Sequence, residues 1–161
     1  MPDPTPSRFA GVTFHAGAAD QAPASPADLP AYLDHVLAHT RTEGGRFNPP
    51  GAFGALYVSL DAETARQESD APEVVLEIDA LLSAVYDLTR SEAQQHCGLT
   101  PAALCARDHE PCRRAAEAIR EQGYEAIRYP SAAGDGINLA IFWDRRRDGS
   151  SLRLAGQSRN R

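Results

Sequence analysis

Arg46 stands in an unusual run, Gly44-Gly45-Arg46-Phe47-Asn48-Pro49-Pro50-Gly51, directly ahead of an alternating stretch, Gly54 to Leu60. Glycines allow a loop backbone to approach a ligand closely, and prolines stiffen it. A planar guanidinium held in such a loop suits an anion such as pyrophosphate, although an ordinary surface arginine has the same sequence. Further along, polar side chains recur at strand edges and turns: Asn48, Tyr57, Glu68, Ser131 and Asn138. Each has a plain reading. Tyr57 on an alternating strand serves as a cross-strand aromatic or as a flat ring beside a bound heteroaromatic. Glu68, near the end of a short helical stretch, is by default solvated, and Ser131 and Asn138 bracket a Gly-Asp-Gly turn whose backbone groups they can satisfy.

Other chemistries have weaker support. There is no phosphate loop with its lysine, no dinucleotide glycine trio and no cysteine pair at zinc spacing. Cys97, Cys105 and Cys112 lie 8 and 7 residues apart and read as reduced thiols, one or two of them buried. His35 and His39 lie four apart on one helical face, but no third ligand stands nearby, so no metal is expected. All 16 basic residues are arginine, which excludes a lysine nucleophile or Schiff base. The net charge of −6 argues against a nucleic-acid surface. No apolar run approaches the roughly 20 residues that cross a bilayer, and the start MPDPTPSRF lacks signal-peptide features. A cytoplasmic, non-membrane protein is expected.

The elements that must position these side chains are short. With 161 residues, 42% hydrophobic and 24% charged, the chain makes one domain with a modest core. RFAGVTFHAG reads as an opening strand and AADQAPASPADLP as a loop. Leu29, Leu33, Val36 and Leu37 predict a helix from Leu29 to Thr40, stopped by Gly44 and Gly45. GALYVSL is a strand, and Asp61 is a good N-cap for the helix after it. Val74 to Ile78 alternates as a strand, while Leu81 to Leu88 reads as strand or turn. Ser91 and Gln94 form a capping-box pair, with a stop at Gly98, and Thr100-Pro101 opens another helix. Cys112, Ala115, Ala116 and Ile119 form one apolar stripe of a helix ended by Gly123. YEAIRYP then starts a strand, and GINLAIF is the last one. The tail from residue 144 to 161 is charged and poor in core residues, hence expected to be partly disordered or reserved for a partner. Five or six strands and four or five helices without regular βαβ alternation predict an α+β class with a mostly antiparallel sheet.

In this order, GGRFNPPG, ALYVS, TARQE, VYDLT and AIREQGYEAIRYPSAAGDGINLAIF resemble the RES-domain family of bacterial toxins, over Gly44 to about Phe142. The resemblance implies a single RES domain over 1–161, with 1–28 a variable N-terminal segment, and an ADP-ribosyltransferase-like fold around a split sheet. It implies NAD+ as substrate, without metal, and toxicity through cleavage of the nicotinamide–ribose bond by hydrolysis or phosphorolysis. Transfer of ADP-ribose to a protein is the alternative, and a non-catalytic nucleotide- or protein-binding module is the second. The family's arginine, aromatic, acid and serine fall on Arg46, Tyr57, Glu68 and Ser131, with Asn138 following. By this resemblance Arg46 holds pyrophosphate or ribose, Tyr57 stacks on nicotinamide, and Glu68 stabilises the ribosyl cation or orients the acceptor. Ser131 and Asn138 hydrogen-bond nicotinamide or its ribose, and Asn48 joins the binding set. Before Gly44 the sequence departs from the family pattern, and His15 there is similar to the strand histidine of diphtheria-toxin-like transferases, which would bind the adenosine ribose. The implied partner is an Xre-like helix-turn-helix antitoxin whose C-terminal segment blocks the pocket.

Overall fold

The computed structural model describes residues 4–159. In chain order the elements are β1 (Ser7–Gly17), α1 (Leu29–Glu43), β2 (Leu56–Ser59), α2 (Ala62–Glu68), β3 (Val74–Asp87), α3 (Ser91–His96), α4 (Pro101–Cys105), α5 (Glu110–Glu121), β4 (Ala126–Pro130), β5 (Ile137–Ile141) and β6 (Ser151–Arg159). All strand pairs are antiparallel except β3 with β4, as the lack of βαβ alternation predicts.

The sheet corrects the expected split. Strands β1, β2, β5, β4 and β3 pair in that order, β1 pairs back onto β3, and the five form a ring with β6 on β3's other side. The length of β3 is the physical reason. Val74–Leu81 lies between β1 and β6, and Val85–Asp87 takes β4 beyond the end of β6. Leu81 to Leu88, ambiguous in sequence, is thus continuous strand to Asp87.

The charged tail is a second correction. Residues 151–159 form β6 along β3, and β5 is therefore not the last strand. Glu125 explains the order of this region. Its carboxylate, fully buried, accepts from the Ser83 amide (2.6 Å), the Arg147 amide (2.7 Å) and the Ser150 hydroxyl (2.7 Å), which clamps the segment leading into β6 onto β3. A single buried acid offset by several donors does what the missing apolar residues do elsewhere.

Helix boundaries follow their caps. Asp61 accepts from the amide and hydroxyl of Thr64, both at 2.8 Å, and these bonds hold its carboxyl below the usual range. Thr100 accepts from the Ala103 amide (3.1 Å). The Ser91 capping box does not form. Ser91 lies inside the first turn of α3, and Gln94 donates instead to the Leu88 carbonyl (2.8 Å). Helix α1 runs three residues past the expected Thr40 and ends where Gly44 takes φ 76°.

The strand period of two divides the core. Leu139 and Ile141 join Leu29, Leu33, Leu56, Val58 and Leu76 on one face of the sheet. Ala140 and Phe142 join Phe47, Tyr86, Ile127, Tyr129 and the α5 stripe of Cys112, Ala116 and Ile119 on the other. Arg120 crosses the second layer, stacking over Phe53 (3.7 Å) and pairing in bidentate fashion with Asp144 (2.8 and 2.9 Å). The hydrogen bonds from Arg120 hold the Asp144 carboxyl below its ordinary value of 3.8, outweighing desolvation. A depressed folded pKa contributes stability above the ordinary value and loses it as pH falls through the folded one. The urea midpoint of the wild type is therefore expected to fall more steeply from about pH 5 to about pH 3 than that of Asp144→Asn. Parallel curves would remove the pair from the acid response.

Candidate active site

One cleft of about 660 Å³ collects most of the residues singled out in the sequence. His15 comes from the end of β1, Arg46 from the loop after α1, Tyr57 from β2, Glu68 from the last position of α2, and Asn138 from β5. One face of α1 forms a wall with Tyr32, His35, Val36 and His39. His35 and His39 thus belong to the cleft, but among the described residues no three His, Cys, Asp or Glu side chains gather as a metal set, and His35 Nε2 lies 3.3 Å from Gln21 Oε1.

The Arg46 loop is built around Asn48. The Asn48 amide donates to the carbonyls of Thr40 (2.8 Å) and Phe53 (3.0 Å), and its Oδ1 accepts from the Tyr57 hydroxyl (2.6 Å). With its polar atoms engaged and no exposure, Asn48 does not line the cleft. In this structure its side chain holds the loop together. The Tyr57 hydroxyl also accepts from the Phe47 amide (3.0 Å), and burial pushes its pKa up, so the phenol stays neutral and tied to the loop while the residue lines the cleft. A Cβ on Gly45 would stand 2.6 Å from the Tyr57 hydroxyl and 2.8 Å from Asn48 Oδ1. Gly45→Ala is accordingly expected to destabilise the chain by about 2 kcal/mol, a fall in Tm of about 6 °C. An unchanged Tm would show that the loop yields freely. Arg46 itself donates Nη1 to the Ala106 carbonyl (2.8 Å), and Arg113 donates Nε to the Gly45 carbonyl (2.9 Å).

Glu68 is held on the opposite set of elements. Its Oε1 accepts a short hydrogen bond from the Ser131 hydroxyl and one from Asn138 Nδ2 (2.8 Å), while Asn138 Oδ1 accepts from Ser59 (2.7 Å). Among the described residues nothing donates to Oε2, and the residue is exposed. A carboxylate with one oxygen fixed and the other open can meet a developing positive charge. Ser131 is 5% exposed and lies outside the cleft lining, its one hydroxyl proton engaged by Glu68 and its oxygen by the Ala133 amide (3.1 Å). In this structure the Ser131 side chain positions Glu68. Asn138 both lines the cleft and braces Glu68.

His15 Nδ1 lies 2.8 Å from the Tyr57 carbonyl. A carbonyl only accepts, so the proton sits on Nδ1. Burial lowers the imidazole pKa against the opposing effect of that bond, leaving Nε2 as an acceptor at neutral pH.

Sequence reasoning missed several contributors. Tyr129 pairs in register with Asn138, packs on Phe47 (4.5 Å between ring centres) and lines the cleft, with its pKa raised first by burial. Its place near the end of the strand that leads into Ser131 was the available signal. Tyr32, whose pKa burial pushes up to about 12, could have been found from its helical spacing with His35 and His39. Ser59, Arg113 and His109 carry no local signal, because only the fold brings their segments to the site.

Residues 23–160 match the RES domain. Among curated proteins, the NAD(+) phosphorylase MbcT of Mycobacterium tuberculosis and that of Mycobacterium bovis are each 29% identical over 124 residues, covering 68% of this chain and 67% of theirs. Among solved structures, the crystal structure of the M. tuberculosis MbcT–MbcA toxin–antitoxin complex contains a chain that superposes with a TM-score of 0.75 at 21% identity, over 95% of this chain and 85% of that one. The match begins at residue 23, so it takes in the α1 wall of the cleft as well as the motifs from Gly44 onward. With the family's residues running through nearly all the described elements, this chain belongs to the RES domain family.

Proposed function

We propose that this chain is the toxin of a bacterial toxin–antitoxin pair and that it cleaves the nicotinamide–ribose bond of NAD+, in the cytoplasm where that dinucleotide is abundant. The observation that carries the reading is Glu68, braced by Ser131 and Asn138 with one carboxylate oxygen open, in the same cleft as the carbonyl-anchored Arg46. Arg46 binds the pyrophosphate and Tyr57 offers a ring to nicotinamide. His15 accepts from the adenosine ribose. As the C–N bond breaks, its electron pair leaves with nicotinamide, which becomes neutral, and Glu68 stabilises the positive charge on the ribosyl carbon. Attack there by inorganic phosphate gives ADP-ribose phosphate, and attack by water gives ADP-ribose and a proton. The activity named for MbcT supports the phosphate acceptor. In this reading the ring sheet is a variant of the ADP-ribosyltransferase-like fold, 1–161 is one RES domain, and the partner is an Xre-like antitoxin that blocks the cleft.

The test is to incubate the purified chain with NAD+, with and without phosphate, and to follow nicotinamide. Phosphate-dependent release is expected. Release without phosphate makes water the acceptor, and label appearing on an added extract protein makes the chain an ADP-ribosyltransferase. No release and no label from folded, antitoxin-free protein overturns the enzymatic reading in favour of a binding module.

A further inference from the structure

We propose that His109, on the loop between α4 and α5, joins Arg46 as a direct ligand of a phosphate-class anion, and that the anion binds together with a proton. The proposal rests on the reading of the cleft as an NAD+ site, and adds to it a residue from outside the resemblance.

His109 lines the cleft at the residue before α5, half-buried. Two guanidiniums act on it. Arg46, from the loop after α1, also lines the cleft, and Arg113, one turn into α5, stands behind that loop on the Gly45 carbonyl. Each arginine donates to a backbone carbonyl, Arg46 also reaches the Cys112 thiol, and among the described residues neither forms an ion pair with a carboxylate. In a chain of net charge −6 these cations without a carboxylate partner favour an outside anion, and the cleft is where one can reach Arg46, with Arg113 adding its field. Of the two acids beside His109 in sequence, Asp108 accepts from the Glu110 amide at Oδ1 (3.0 Å) and Glu110 pairs with Arg114 (3.9 Å).

The same surroundings set the proton. Burial first, then Arg46 and Arg113, lower the His109 pKa from 6.5, with Asp108 opposing weakly. Without ligand the imidazole is neutral at pH 7. An anion seated on Arg46 offsets the two positive fields, His109 takes up a proton, and the imidazolium donates to the anion.

Sulfate is the probe, because its charge does not change between about pH 6 and about pH 8, so any proton taken up belongs to the protein. By calorimetry, wild type is expected to bind sulfate about tenfold more tightly at the lower pH. His109→Gln is expected to bind at both pH values as wild type does at the higher one, and Arg46→Gln weakly at both. In wild type, the His109 ring signal is expected to titrate at higher pH once sulfate is bound. Pyrophosphate of a dinucleotide and inorganic phosphate are separated by ADP-ribose: competition with sulfate assigns the seat to the pyrophosphate, and sulfate binding to ADP-ribose-saturated protein assigns it to the acceptor phosphate. PH dependence surviving in His109→Gln, or an unmoved ring signal, overturns the proposal. NAD+ cleavage is scored separately. Proton-linked binding without cleavage rejects the proposed function and keeps His109, whereas cleavage without proton linkage does the reverse.

Discussion

Replacing Glu68 by Gln is expected to slow nicotinamide release from NAD+ by about a thousandfold, equivalent to about 4 kcal/mol of transition-state stabilisation. The substitution isolates charge from scaffold. A glutamine oxygen can accept from Ser131 and Asn138 as Glu68 Oε1 does, so the end of α2 keeps its bracing against β5. What disappears is the negative charge facing the ribosyl cation. Because the residue is solvent-exposed, Tm is expected to stay within a few degrees of wild type. Single-turnover kinetics beside a melting curve check both. A loss below about tenfold would mean that the cation is stabilised elsewhere and that Glu68 serves only to hold β5.

The second large effect lies far from the cleft. Glu125→Ala is expected to destabilise the fold by about 3 to 5 kcal/mol, a fall in Tm of about 10 °C or more. The fully buried carboxylate takes two backbone amides and a hydroxyl, and its removal takes the acceptor from all three donors and leaves a cavity at its place. The Arg147 amide and Ser150 hydroxyl belong to the segment that delivers β6, so hydrogen exchange in residues 151–159 should accelerate before the rest of the sheet. Urea unfolding of folded variant and wild type measures the difference. A loss below about 1 kcal/mol would place the hold on β6 in its ladder with β3 alone.

These two acids show what local pattern does and does not carry. Asp61 and Thr100 cap the helices expected of them, because a cap satisfies an amide only three residues away. The stripe from Cys112 to Ile119 is buried as its spacing requires. Ser91 fails the same kind of test because Gln94 finds a nearer acceptor in the Leu88 carbonyl, a competition between two local options that letters do not rank. The tail fails differently. Its charged residues obey the pattern of an unstructured segment, yet β3 offers it an open edge and Glu125 a set of acceptors, and neither partner lies within the tail.

The candidate site divides along the same line. Arg46, Tyr57, Glu68 and Asn138 were legible as residue types in order along the chain, and the structure brings them to one cleft. Their roles were less so. Asn48 and Ser131 have the chemistry of ligand contacts, but each has its hydrogen-bonding atoms engaged by protein groups, Asn48 by the loop and Tyr57, Ser131 by Glu68 and a turn amide. By itself the sequence determined the helices, most strands, the absence of lysine chemistry and the family to which the chain belongs, since these rest on spacing, composition and ordered motifs. Only the tertiary structure decided the closing of the sheet, the pairing of the tail, and the gathering of His15, Tyr129 and His109 around Arg46 and Glu68. Those depend on contacts between residues tens of positions apart, and no periodicity within one segment records which distant segment will lie beside it.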